Sequence, residues 1–102
     1  MTRILIVEDE PVIAMLLEEM LTEHGFSIVG VGSTLEQASQ LASTLELDGA
    51  LLDINLGDQE VFPVASLLEG RAIPFAFTTG YGAIGIPSEW ENRPIFSKPY
   101  DM

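Results

Sequence analysis

The chain has 102 residues, sixteen acidic side chains against four basic ones, a formal charge of −12 and no cysteine. That length makes one domain able to bury a core without staples, and the missing thiols exclude a disulfide framework or a sulfur-ligated zinc site and fit a reducing cytosol. The charge repels phosphate backbones and anionic membrane surfaces at long range, which argues against nucleic acid or membrane partners and fits either solvated helix faces or a basic partner protein.

Met1-Thr2-Arg3-Ile4 lead straight into a strand-like run, without the basic start, apolar core and cleavage site of a signal peptide. No apolar stretch approaches the roughly 18 to 20 residues that span a bilayer, so a soluble cytoplasmic protein is expected. Short aliphatic runs then alternate with segments of helical period, the pattern of βα units on a parallel sheet.

The first strand is expected at Arg3 to Val7, apolar on successive residues like a strand buried on both faces. Pro11 suits the first turn of a helix, and Ile13, Leu16, Leu17, Met20 and Leu21 form one stripe before Gly25 stops it. A second strand, Ser27 to Val31, leads through Gly32 to a helix whose capping box is Ser33 with Glu36 or Thr34 with Gln37. The inner stripe of that helix is Leu35, Ala38, Ala42 and Leu45.

A third strand, Gly49 to Leu52, delivers Asp53 to its carboxyl end. The loop Ile54 to Asp58 then turns back toward a third helix with Val61, Val64, Ala65 and Leu68 inside. Strand four is Ile73 to Phe77 or Thr78, and strand five is Pro94 to Ser97. Between them, Gly80, Gly82, Gly85 and Pro87 disfavour a full crossover helix, so a mobile loop with at most a short helix is expected.

Chemistry enters through the residues that end the strands. Glu8 and Asp9 follow strand one, Asp53 strand three, Thr78 or Thr79 strand four, and Lys98-Pro99 strand five. Ligands of open parallel sheets bind in the crevice at the carboxyl ends of the strands, so one pocket can hold all of these side chains. Taken singly, Glu8 and Asp9 suit a helix N-terminus and Asp53 a turn or cap; their joint placement is what points to a site.

Carboxylates this close repel, and each pKa would rise unless a cation intervened. A hard divalent ion held through oxygen, magnesium for preference, resolves the repulsion. In that setting an Asp carboxylate can attack a phosphoryl group. The metal, Lys98 and the threonine hydroxyl with nearby backbone N–H groups would each take one of its equatorial oxygens.

The run Ile4-Leu5-Ile6-Val7-Glu8-Asp9-Glu10-Pro11, the segment Leu51-Leu52-Asp53-Ile54-Asn55-Leu56, the pair Thr79-Gly80 and Lys98-Pro99 together resemble the receiver domain of two-component response regulators over nearly the whole chain. The resemblance implies a flavodoxin-like, doubly wound five-stranded sheet in the order 2-1-3-4-5. It implies Asp53 as acceptor of a phosphoryl group from a histidine kinase or phosphotransfer protein, and a downstream protein that reads the result. Asp9 and Asp53 would hold Mg²⁺ directly, Glu8 through water and Asn55 through its backbone carbonyl. Thr79 would be the switch hydroxyl, because a small residue usually follows it in the family and Gly80 does so here. Lys98 would be the phosphate partner, with a cis Lys98-Pro99 bond. Phe77-Thr78-Thr79-Gly80-Tyr81 is similar to the divergent branch nicknamed FAT GUY, whose fourth helix is degenerate.

Two features depart from the family pattern. Ile95 stands three residues before the lysine, where receivers carry Tyr or Phe, and Tyr81 is the candidate substitute for that aromatic switch. A fifth helix does not follow Lys98, so apolar surface near strands one and five is expected to be exposed. A longer native chain, a partner chain covering that face, a second copy included, or both would account for it.

Rival readings fit less well. A phosphatase of the haloacid dehalogenase type needs an Asp two residues after its nucleophile, where this chain has Asn55. A flavin mononucleotide carrier would find its phosphate repelled by Glu8-Asp9-Glu10. A receiver-like module that only binds partners would not need the complete acceptor set. His24, on a polar stretch after helix one, reads as a surface residue.

Overall fold

The computed structural model describes residues 1–79, 86–90 and 92–97, with 96 and 97 described by backbone alone. Its sheet contains five parallel strands: β1 (Arg3–Val7), β2 (Ser27–Gly32), β3 (Gly49–Asp53), β4 (Phe75–Thr79) and β5 (Ile95–Ser97). Their spatial order is β2-β1-β3-β4-β5, the order expected from the sequence.

Alternation along β1 divides the core. Leu5 and Val7 face a cluster with Ala38 and Ala42 of α2 (Leu35–Thr44) and Val64, Ala65 and Leu68 of α3 (Phe62–Gly70). Ile4 and Ile6 face Leu17 of α1 (Pro11–Glu23) on the other side. Each fully buried Leu, such as Leu5, Leu52 and Leu68, contributes about 1.5 to 3 kcal/mol of hydrophobic stabilisation. Small side chains let α2 approach closely: a Cβ on Gly32 would lie 2.8 Å from the Ala38 Cα.

The helix ends follow local chemistry. Of the two capping boxes open to α2, the second forms: Thr34 Oγ1 accepts from the Gln37 N–H at 3.1 Å. The Gln37 side chain reaches back one residue further than expected, accepting from the Ser33 N–H at 2.9 Å and from its hydroxyl at 3.1 Å.

α1 and α3 end in the same way. After α1, Gly25 takes φ +90°, its N–H donates to Thr22 O at 3.1 Å and the Phe26 N–H donates to Leu21 O at 3.0 Å. After α3, Ala72 takes φ 58°, its N–H donates to Glu69 O at 3.0 Å and the Ile73 N–H donates to Leu68 O at 2.9 Å. Both are Schellman motifs, the second with alanine where glycine is favoured. Because Ile73 closes that motif, strand β4 begins at Phe75, two residues later than its apolar run suggested.

Two further elements differ from expectation. The stretch after Asp53 is a small antiparallel hairpin, Asn55–Leu56 against Gln59–Glu60, turned by Gly57 at φ +62°. Val61 is the N-cap of α3, outside the helix, although buried as expected. The crossover to β5 agrees with the short helix allowed there: Ser88–Trp90 form a 3-10 turn, which places Trp90 in the core, while residues 80–85 lie outside the described residues.

The exposed apolar surface expected near strands one and five lies, among the described residues, over β1, β3 and β4. It is an open cleft of about 260 Å³ lined by Ile4, Leu21, Phe26, Leu51, Pro74 and Ala76 among others.

Candidate functional site

Strand geometry gathers the acids. The Glu8 N–H donates to Gly32 O at 2.9 Å, which carries the β1–β2 ladder one residue past Val7 and holds Glu8 at the sheet's carboxyl edge, buried to 1% exposure. Its Oε2 accepts from the Glu10 N–H at 3.1 Å. Asp53 is the last residue of β3, 4% exposed, in register with Thr78 of β4. Its Oδ1 accepts from the Asn55 N–H at 3.4 Å, at the start of the hairpin.

Asp9 joins the two sides of the crevice. Its Oδ2 accepts from the Gly57 N–H at 2.8 Å, and its carboxyl comes close to those of Asp53 and Glu8. Thus Glu8, Asp9 and Asp53, singled out from sequence, are brought together. Carboxylate oxygens of Glu8, Asp9 and Glu10 also lie within 4.8 Å of one another, a set of hard oxygen donors suited to a divalent cation.

The electrostatics correct one expectation. Without a cation, crowding was expected to raise each carboxyl in the group. Burial does push Asp9 up, but the Gly57 N–H and the side-chain interactions with Asp53 and Glu8 outweigh it and hold Asp9 below the ordinary carboxylate range. The loop amide does part of the work assigned to a cation.

Thr78 and Thr79 are both buried, and Thr79 pairs with Ser97, the residue before Lys98. Lys98, Pro99 and Tyr81, and so the phosphate partner, the cis bond and the substitute aromatic switch, lie outside the described residues. Asn55, the expected backbone ligand, is exposed and pairs with Glu60 in the hairpin. Two participants were missed: Glu10, whose signal was the unbroken Glu8-Asp9-Glu10 run, and Gly57, whose signal was a lone glycine in the loop after Asp53.

Beside the acids, a cleft of about 350 Å³ runs between α1 and the start of α2, bounded by Glu8, Asp9, Met15, Val31 and Gln37 among others. Among the described residues, no helix is long and apolar enough to cross a membrane.

Comparison with known proteins agrees with this geometry. Residues 4–86 match the response regulator receiver domain model. The chain is 40% identical over 83 residues to the phyllosphere-induced regulator PhyR of Methylorubrum extorquens, a match covering 78% of this chain and 31% of that protein. It therefore spans about a third of the length of that curated relative. The solution structure of SdrG from Sphingomonas melonis Fr1 superposes with a TM-score of 0.87 at 41% identity, covering 99% of this chain and 86% of that one. The crystal structure of TrrA from Thermotoga maritima in complex with Mg²⁺ and BeF superposes with a TM-score of 0.85 at 28% identity, covering 99% of this chain and 90% of that one. An acidic crevice at the carboxyl edge of a β2-β1-β3-β4-β5 sheet and a family match over most of the sequence lead to one conclusion: this chain belongs to the response regulator receiver domain family.

Proposed function

We propose that the chain is a phosphoacceptor receiver unit, taking a phosphoryl group on Asp53 from a histidine kinase or phosphotransfer protein and changing its protein partners as a result. The observation that carries this reading is the gathering of Glu8, Asp9 and Asp53 at the carboxyl edge of the sheet, with Asp9 held by the Gly57 N–H of the hairpin that follows Asp53. A nucleophilic carboxylate is thereby set beside a ligand group for a cation.

In the reaction, a carboxylate oxygen of Asp53 forms a bond to phosphorus as the bond from phosphorus to the donor's imidazole nitrogen breaks. The imidazole leaves with the electron pair. Asp9 and Asp53, with Glu8 through water and the Asn55 carbonyl, would hold Mg²⁺. That ion, when bound, supplies positive charge that neutralises the phosphoryl oxygens as the group transfers. Lys98 pairs with one phosphoryl oxygen and Thr79 donates its hydroxyl to another. The Gly57 N–H holds the Asp9 carboxyl in place and helps keep it below its ordinary value.

The assembly suits a switch better than an enzyme with a separate substrate, its chemistry being its own phosphorylation and hydrolysis. Incubation with acetyl phosphate and Mg²⁺, followed by intact mass measurement, tests the reading. Wild type gains one phosphoryl mass with Mg²⁺ and none when EDTA is present from the start, and Asp53→Asn gains none. Equal adducts on both proteins, or on neither, overturn it.

A further inference from the structure

Trp90 ends the 3-10 turn Ser88–Trp90 and is 2% exposed. Its indole meets Phe75 and Phe77 edge to face, with ring centroids 5.7 and 6.4 Å apart. Among the described residues, the backbone around it makes local hydrogen bonds only: the Trp90 N–H donates to Pro87 O at 2.9 Å and the Arg93 N–H to Trp90 O at 3.1 Å. The sheet ladder resumes at Pro94, whose carbonyl accepts from the Phe77 N–H.

Side chains therefore tie this turn to the domain. Besides the indole, Arg93 donates to Glu69 of α3 at 2.7 Å and lies over the Phe75 ring at 4.6 Å. The polar part of this attachment is weak. The Arg93–Glu69 pair is 33% and 55% exposed, a setting in which ion pairs hold weakly. The buried indole Nε1 has no acceptor among the described residues, and it regains a partner on returning to water.

The same contacts reach both halves of the acidic site. Phe77 precedes Thr79 by two residues on β4. Its ring also meets Phe62, the first residue of α3, at 5.8 Å. Val61, just before Phe62, donates its N–H to the carbonyl of Ile54, the neighbour of Asp53, at 2.9 Å. A contiguous set of contacts thus joins Asp53 and Thr79 to the ring against which Trp90 rests.

We propose that Trp90 is a latch, closed on Phe75 and Phe77 in the unphosphorylated chain and released when Asp53 is phosphorylated. The proposal rests on the phosphoacceptor reading and adds the element that moves. Trp90 is the sole tryptophan, so its emission reports on the latch alone.

Acrylamide quenching of that emission is measured before and after acetyl phosphate with Mg²⁺, with the adduct followed by mass in the same samples. Release raises the quenching constant about threefold and shifts the emission to the red, as local opening exposes the indole. Asp53→Asn shows neither change, and Arg93→Gln, which removes the strap, is more easily quenched before any phosphodonor is added. A full adduct with unchanged quenching overturns the latch and leaves the phosphoacceptor reading standing. No adduct overturns both.

Discussion

Asp9 accepts a hydrogen bond from the backbone N–H of Gly57 at 2.8 Å, a contact between residues 48 positions apart. It fastens the hairpin after β3 to the end of β1, and it helps hold the Asp9 carboxyl below its ordinary value. Gly57 reaches this position at φ +62°, a conformation that suits glycine.

Gly57→Ala is therefore expected to act through the backbone. A Cβ there meets nothing within 4 Å, so the cost is conformational, about 1 kcal/mol in urea denaturation. The amide that holds Asp9 shifts with it, and calorimetric titration should show weaker Mg²⁺ binding than in wild type.

The paired helix ends make opposite predictions. Ala72 sits at φ 58° in a Schellman motif that glycine fits without strain, so Ala72→Gly is expected to stabilise the fold by about 0.5 to 1 kcal/mol. Gly25→Ala, at φ +90° in the equivalent motif after α1, is expected to destabilise it by a similar amount. Thermal unfolding of both variants checks the signs.

Gly32→Ala tests packing instead of torsion. Its Cβ would fall 2.8 Å from the Ala38 Cα and 3.1 Å from the Ala38 N, backbone atoms that yield only if α2 moves. A loss of about 1 to 3 kcal/mol is expected. Because the Gly32 carbonyl also holds the Glu8 N–H, slower phosphorylation by acetyl phosphate should accompany it.

Much of this arrangement was legible in the residues, for reasons that differ by element. Ile4 to Val7 and Gly49 to Leu52 are continuous apolar runs because the central strands pack side chains on both faces, although Leu51 is only partly covered, and the acids after them mark the sheet's carboxyl edge. The hairpin was not legible. Its strands are two residues long, only Leu56 among them is buried, and so short a ladder leaves no periodicity to read. Trp90 was hidden by its glycine- and proline-rich surroundings, which argue correctly against a long helix but say nothing of one large side chain packing as its substitute. The left-handed turn at Ala72 carries no sequence signal, since alanine ordinarily avoids it.

Acid stability follows from the far end of the sheet. The Arg3 N–H donates to Asp48 Oδ2 at 2.8 Å and the Arg3 Nε to the same oxygen at 3.3 Å. These contacts, the backbone one first, hold the Asp48 carboxyl below its ordinary value. A carboxyl lowered in the folded state contributes stability above its unfolded pKa and loses it as pH falls through the folded one. The gap in unfolding free energy between wild type and Asp48→Asn should be constant above about pH 5, then shrink as the solution becomes more acidic. A gap that widens with acid would reverse the assigned sign.

The central claim is that Asp53 itself takes the phosphoryl group. Borohydride converts an aspartyl phosphate to homoserine, so the reacted residue can be located by peptide mass after treatment with acetyl phosphate and Mg²⁺. The account predicts homoserine at residue 53 in samples with Mg²⁺ and intact Asp53 in samples with EDTA. Homoserine at residue 9, or no conversion at residue 53 under any condition, would contradict it.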